Sequence, residues 1–222
     1  MTKLIIIPFL VCLGNFWIWF IFSKNVWIGI SLVAETILFY LVISWFNKRL
    51  FALFIAIYLL LVIYLFTTGF DKDIWKDTPT ESLALRQRYE YLATDLGKIY
   101  KNRFAIFYHQ KASSALYKIQ SNIFSNLDIN LYFFASHPRE REKVYEYKKY
   151  PFILWPFFLF GAYLSLKKIN RIFFSYLLIS LLVSAFIQQN IIFGPILFFP
   201  LINLILINAF IYLINFVPRS RI

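Results

Sequence analysis

Apolar runs close to twenty residues long recur along this chain, and they leave few folds open to it. Leu4 to Phe22, Val26 to Phe46 and Leu50 to Phe70 follow one another, separated only by Ser23-Lys24-Asn25 and Asn47-Lys48-Arg49. A helix needs about 20 apolar residues to cross the hydrocarbon core of a bilayer, and each run meets that length. Of the 222 residues 60% are hydrophobic, 22% aromatic and only 15% charged, more apolar surface than a water-soluble core of this size can bury. Soluble globular and disordered classes are thereby excluded. The expected fold class is all-α: a polytopic membrane protein.

The composition changes abruptly at Asp71. From there to about Tyr150 lie most of the chain's charged residues and both histidines, His109 and His137. Thr78-Pro79-Thr80-Glu81 reads as a helix start, with Thr78 as N-cap, Pro79 in the first turn and Glu81 closing a capping box. Leu85, Tyr89, Leu92 and Leu96 then recur on one helical face, and Gly97 supplies a stop. A second amphipathic helix is expected over about 104–127. Its Phe107, Leu116, Ile119, Ile123 and Leu127 would pack on the first helix or lie on the bilayer surface. Apolar runs resume over Pro151–Leu166, Ile172–Ile187 and within Ile191–Val217, where Gly194, Pro195 and Pro200 shorten the last helix from the front.

The expected organisation is six membrane helices arranged three plus three. Residues 1–70 hold the first three, 71–150 form a mainly helical insert, and 151–222 hold the last three, with 188–200 as the place where a broken helix would upset the count. Lys and Arg collect on cytoplasmic loops. With the N-terminus inside, Lys3, Lys48, Arg49, Lys167, Lys168, Arg171, Arg219 and Arg221 fall on short inner segments, and only Lys24 falls on a short outer one. Both termini are therefore expected in the cytoplasm and residues 71–150 outside it, in the inner (plasma) membrane of a bacterium. The formal charge of +12 fits lipid headgroups rather than nucleic acid.

Little in the chain carries chemistry. One cysteine, Cys12, excludes an intrachain disulfide and a thiolate metal cluster. No phosphate-binding glycine loop, nucleophile elbow or metalloprotease motif occurs, so no catalytic residue, metal or cofactor is expected. Glu35, in the middle of the second run, is costly at that depth and must face protein or water. Asn15, Ser180, Ser184 and Asn208 are the polar partners at comparable depth. Two readings stand: a proton- or cation-responsive site, or a protonated acid bonded to a neighbouring helix. Asn203, Asn208 and Asn215 read as interhelical donors. Trp27, Trp45, Trp75 and Trp155 read as interface anchors.

In His137-Pro138-Arg139-Glu140-Arg141-Glu142-Lys143, His137, Arg139 and Arg141 would suit a lipid-linked phosphate, since guanidinium groups hold phosphate oxygens in pairs. A salt-bridged collar with no ligand is the other reading of the same alternation.

The stretch Asn130-Leu131-Tyr132-Phe133-Phe134-Ala135-Ser136-His137-Pro138-Arg139 is followed by Tyr150-Pro151-Phe152, a basic loop, Gly194-Pro195 and Pro200. Over about residues 100–215 this order resembles the later membrane segments of polyprenyl-phosphate-dependent glycosyltransferases of the GT-C, mannosyltransferase-like type. The resemblance implies a polytopic protein taking a lipid-phosphate sugar donor, with acidic catalytic residues in the first extracytoplasmic loop. Here that loop is Ser23-Lys24-Asn25 and has no carboxylate, and the chain has about half the family's spans, so the resemblance implies a truncated, non-catalytic relative or one part of a larger assembly. The leading expectation is a protein that binds or helps handle a lipid-linked envelope precursor, with a polyprenyl-phosphate-linked lipid and the bilayer as partners. The alternatives are a small transporter or channel using Glu35, and a scaffold recruiting membrane proteins through the insert.

Overall fold

The computed structural model describes residues 2–95, 97, 103–108, 112–134, 149–167, 170–187 and 195–216. These are helical almost throughout, with no strand among them beyond an isolated bridge between Phe70 and Ile187. Among the described residues three helices are long and apolar enough to cross a membrane: α3 (Val26–Ser44), α4 (Lys48–Gly69) and α11 (Phe199–Phe216), the last with the turn that precedes it. Two bent pairs raise the number to as many as five if each pair counts as one crossing.

The first pair is α1 (Thr2–Leu13) and α2 (Phe16–Lys24), which meet at 72°. The run Leu4–Phe22 is thus a broken helix rather than a straight span, because Asn15 serves both halves. Its Nδ2 donates to the carbonyls of Val11 and Cys12 at the end of α1, and its Oδ1 accepts from the Ile18 N–H in the first turn of α2. One buried amide satisfies the orphan groups of two helix ends.

The second pair is α9 (Trp155–Lys167) and α10 (Arg171–Ala185), which turn by 119°. The start of α9 packs on α8 (Asn130–Phe133), with the Phe133 and Trp155 rings 5.4 Å apart. The end of α10 returns to the end of α4, where the Asp71 N–H donates to the Phe186 carbonyl. The pair therefore leaves and re-enters the same end of the bundle, and each helix is shorter than a full crossing. The breaks in the bundle lie at residues 14–15 and beside Asn170. Residues 188–194, where the sequence suggested one, fall outside the described residues.

The core is organised around α11. Every residue from Phe199 to Ile207 is buried, as expected of a helix apolar all round and enclosed by others. It packs on α9, α3 and α1. Its closest approach is to α9 at Gly161, where any Cβ would run into the Ile205 carbonyl. By contrast α4 buries one stripe only, Phe54, Tyr58, Leu61 and Leu65, against its neighbours.

The insert follows its local signals. Helix α5 (Pro79–Asp95) opens with a reciprocal capping box: the Thr78 N–H donates to Glu81 at 2.8 Å and the Glu81 N–H donates to the Thr78 hydroxyl at 3.2 Å. Gly97, with φ of 72°, follows its end. The expected second helix is divided into α6 (Arg103–Phe107) and α7 (Ser113–Leu127).

Candidate functional site

Glu35 sits at the centre of α3 and is completely buried. The Tyr176 hydroxyl on α10 lies 2.9 Å from Glu35 Oε1 and 3.0 Å from the Leu197 carbonyl. A phenol has one hydrogen, and both neighbours are acceptors when the acid is ionised. Both contacts are complete when Glu35 carries a proton, which it donates to the phenol oxygen while the phenol donates to Leu197. The second carboxyl oxygen, Oε2, has no partner among the described residues. Tyr58 on α4 and Ser180 on α10 extend the polar chain with hydroxyls 3.3 Å apart. The Tyr176 ring is held by Phe39, Phe54 and Tyr58, at centroid distances of 4.5, 5.8 and 5.1 Å.

The other polar residues expected in the membrane do not join Glu35. Asn15 is spent on the α1–α2 joint. Asn208 donates to the Ser165 hydroxyl at 3.1 Å, linking α11 to α9. Asn203 accepts from the Tyr150 hydroxyl at 3.3 Å, while Asn215 is exposed near the end of α11. His137, Arg139 and Arg141 lie outside the described residues, as does His109.

Where the insert meets the bundle, the structure forms an open cleft of about 530 Å³. A 3-10 turn (Lys72–Trp75) after α4, the start of α5 and one side of α7 wall it. Lys118 on α7 braces these walls. Its Nζ lies 3.3 Å from Glu81 Oε2 and 3.8 Å from Asp77 Oδ1, and it donates to the carbonyls of Lys76 at 2.7 Å and Asp73 at 3.2 Å. Ser114 donates to the same Asp77 carboxylate. The Thr78 N–H bond first, and Lys118 second, hold the Glu81 carboxyl below its ordinary pKa. Asp71, Asp73, Ser121 and the ring of Tyr117 complete the lining, so carboxylates, hydroxyls and an amide surround one aromatic face.

A third cluster joins the start of α2 to α8 and the segment that precedes α9. The Trp17 N–H donates to the Lys149 carbonyl at 3.0 Å. Lys149 Nζ donates to the Leu131 carbonyl at 2.9 Å and sits over the rings of Trp17 and Tyr132, 5.5 and 5.7 Å from their centroids. Sequence reasoning passed over Trp17, Tyr176 and Lys149. Each is an ordinary residue type in its run, and its importance comes from partners far along the chain.

Among the described residues no group of three or more His, Cys, Asp or Glu is placed to hold a metal ion. Comparison of the chain with protein-family models, curated proteins and solved structures found no match.

Proposed function

We propose that this chain is a non-catalytic membrane protein that holds the hydrophilic head of a lipid-linked envelope precursor, with the cleft at the insert as the place where the head binds. The observation that carries this reading is the lining of that cleft. Carboxylates accept pairs of hydroxyl groups, Asn122 and Ser121 add donors and acceptors, and the exposed Tyr117 ring offers an apolar face. That set suits a sugar better than a phosphate, which the carboxylates would repel. In this reading the phosphate falls to His137, Arg139 and Arg141. The cleft adjoins the ends of α4 and α10, within reach of a head whose lipid tail lies in the bilayer. The reading places residues 71–150 outside the cytoplasm, both termini inside, and α9 and α10 as the fourth and fifth of six passages.

Two measurements test it. In the protein reconstituted into nanodiscs, retention of a polyprenyl-phosphate-linked sugar followed by native mass spectrometry should fall about tenfold for Tyr117→Ala, equivalent to about 1.4 kcal/mol. The sugar-free polyprenyl phosphate should be unaffected by Tyr117→Ala but lost with Arg139→Lys and Arg141→Lys. Equal retention of the sugar lipid by wild type and Tyr117→Ala would refute the cleft. An introduced cysteine at the exposed Gln87 (Gln87→Cys) should react with a membrane-impermeant reagent in intact spheroplasts. Reaction only after permeabilisation would reverse the orientation and end the envelope reading.

A further inference from the structure

Helix α7 is amphipathic, yet it turns its polar side to the protein. Asn122 donates to the Ala185 carbonyl at 3.0 Å and Asn126 to the Ser184 carbonyl at 3.2 Å. These carbonyls belong to the last turn of α10, where helix ends leave acceptor capacity free; the Ser184 carbonyl also accepts from the Ile187 N–H that closes the helix. Ser114, Asn122 and Asn126 are accordingly buried. The consequence is that the apolar side faces away from the bundle. Leu116, Phe124 (63% exposed) and Leu127 lie along it, and α6 adds Phe104 (76% exposed) and Phe107.

We infer that this face of α6 and α7 is seated in the headgroup and acyl boundary of an anionic bilayer, the same membrane that holds the long apolar helices. The insert would then lie on the membrane surface instead of standing off it in water. Three observations single out this occupant. The two amide bonds fix α7 at the end of α10, at the level where the apolar length of the bundle ends. Trp75 is 65% exposed in the turn that packs against α7, and a tryptophan at that level is an interfacial residue. Between Asp95 and Asp128 the sequence carries five Lys and Arg residues and no Asp or Glu; Lys118 is spent in the cleft, whereas Arg103, at the start of α6, is exposed. An exposed apolar face in a segment whose sequence is net positive suits a helix bound in the plane of a negatively charged leaflet. The inference does not depend on what the cleft binds.

Spin labels test it on the full-length protein in vesicles of equimolar phosphatidylglycerol and phosphatidylcholine. Labels are attached at Leu116→Cys and Phe124→Cys, with Gln87→Cys on α5 for comparison; Cys12 is buried and stays unlabelled. Collisions with dissolved oxygen should exceed those with a water-soluble nickel chelate at 116 and 124, and the order should reverse at 87. Replacing the phosphatidylglycerol by phosphatidylcholine should shift both α7 labels toward water. If the α7 labels match the one at 87, the face is in water and the inference fails. Shielding from both reagents would mean that protein, such as a second copy, covers the face, and this too would overturn it. Unchanged depth in the two lipids would overturn the anionic preference.

Discussion

Removing the Tyr176 hydroxyl gives the sharpest test of the buried network, because its two neighbours lose different amounts. In Tyr176→Phe, Glu35 loses its bond at 2.9 Å, and its Oε2 has no partner among the described residues to begin with. A fully buried carboxyl group is left with nothing, which costs about 1–3 kcal/mol. In Glu35→Leu, the phenol keeps the Leu197 carbonyl at 3.0 Å and the unpartnered oxygen disappears, so the change should stay within about 1 kcal/mol. On the Glu35→Leu background, Tyr176→Phe then removes the bond to Leu197 and the contact with Ser180, each worth about 0.6 kcal/mol on the average for membrane proteins. The double-mutant cycle should therefore return a coupling of about 1–2 kcal/mol. Thermal unfolding in detergent would read it, at roughly 2–4 °C per kcal/mol for a chain of this size. An equal loss from Tyr176→Phe on both backgrounds would refute the argument that Glu35 depends on Tyr176.

Gly161→Ala should lower stability by about 1–3 kcal/mol, the range for forcing extra volume into a packed interior, because the obstacle is the Ile205 carbonyl on α11 rather than a movable side chain; Leu159→Ala on the exposed side of α9 should cost far less, and equal thermal shifts would contradict the packing. Asn122→Leu with Asn126→Leu removes the side-chain donors to the Ala185 and Ser184 carbonyls, at about 1 kcal/mol each, less at Ser184, which keeps the Ile187 N–H, and should speed limited proteolysis within the insert. Unchanged proteolysis would mean that α7 is held by other contacts.

What could be read from the sequence was local. The capping box at Thr78 and Glu81 involves groups three residues apart, so the pattern that predicts it is also the structure. Uninterrupted apolar length gave α3 and α4 for the same reason. The break at Gly14-Asn15 was harder to recognise, because the residues on either side are equally apolar and Asn15's local bonds are supported by one to Lys149 far along the chain. Glu35 could be singled out by its depth, whereas its partner is one of 15 tyrosines and lies 141 residues away. Periodicity showed that α7 has two faces. It did not show which would turn inward, because that choice is made by two carbonyls on α10. The basic cluster at His137, Arg139 and Arg141 falls outside the described residues, so its pattern has no geometry beside it.

The central position of α11 has a consequence for how the chain is made. This helix, the one that α1, α3 and α9 pack around, is also the last described helix to leave the ribosome. Ribosomes add about 5–20 residues per second, so α3 waits on the order of ten seconds in the bilayer before Tyr176 and Leu197 exist to receive Glu35. During that interval the carboxyl group is held in lipid or beside transient polar neighbours, at a cost of about 2.5–3.5 kcal/mol on insertion scales. A chain arrested after residue 44 and before residue 176 therefore differs from a finished one in a way the membrane itself can register: it carries an unmatched acid at mid-depth. Surveillance proteases and insertion chaperones that respond to polar groups in lipid would have a timer to read, started by α3 and stopped by the arrival of α10 and α11.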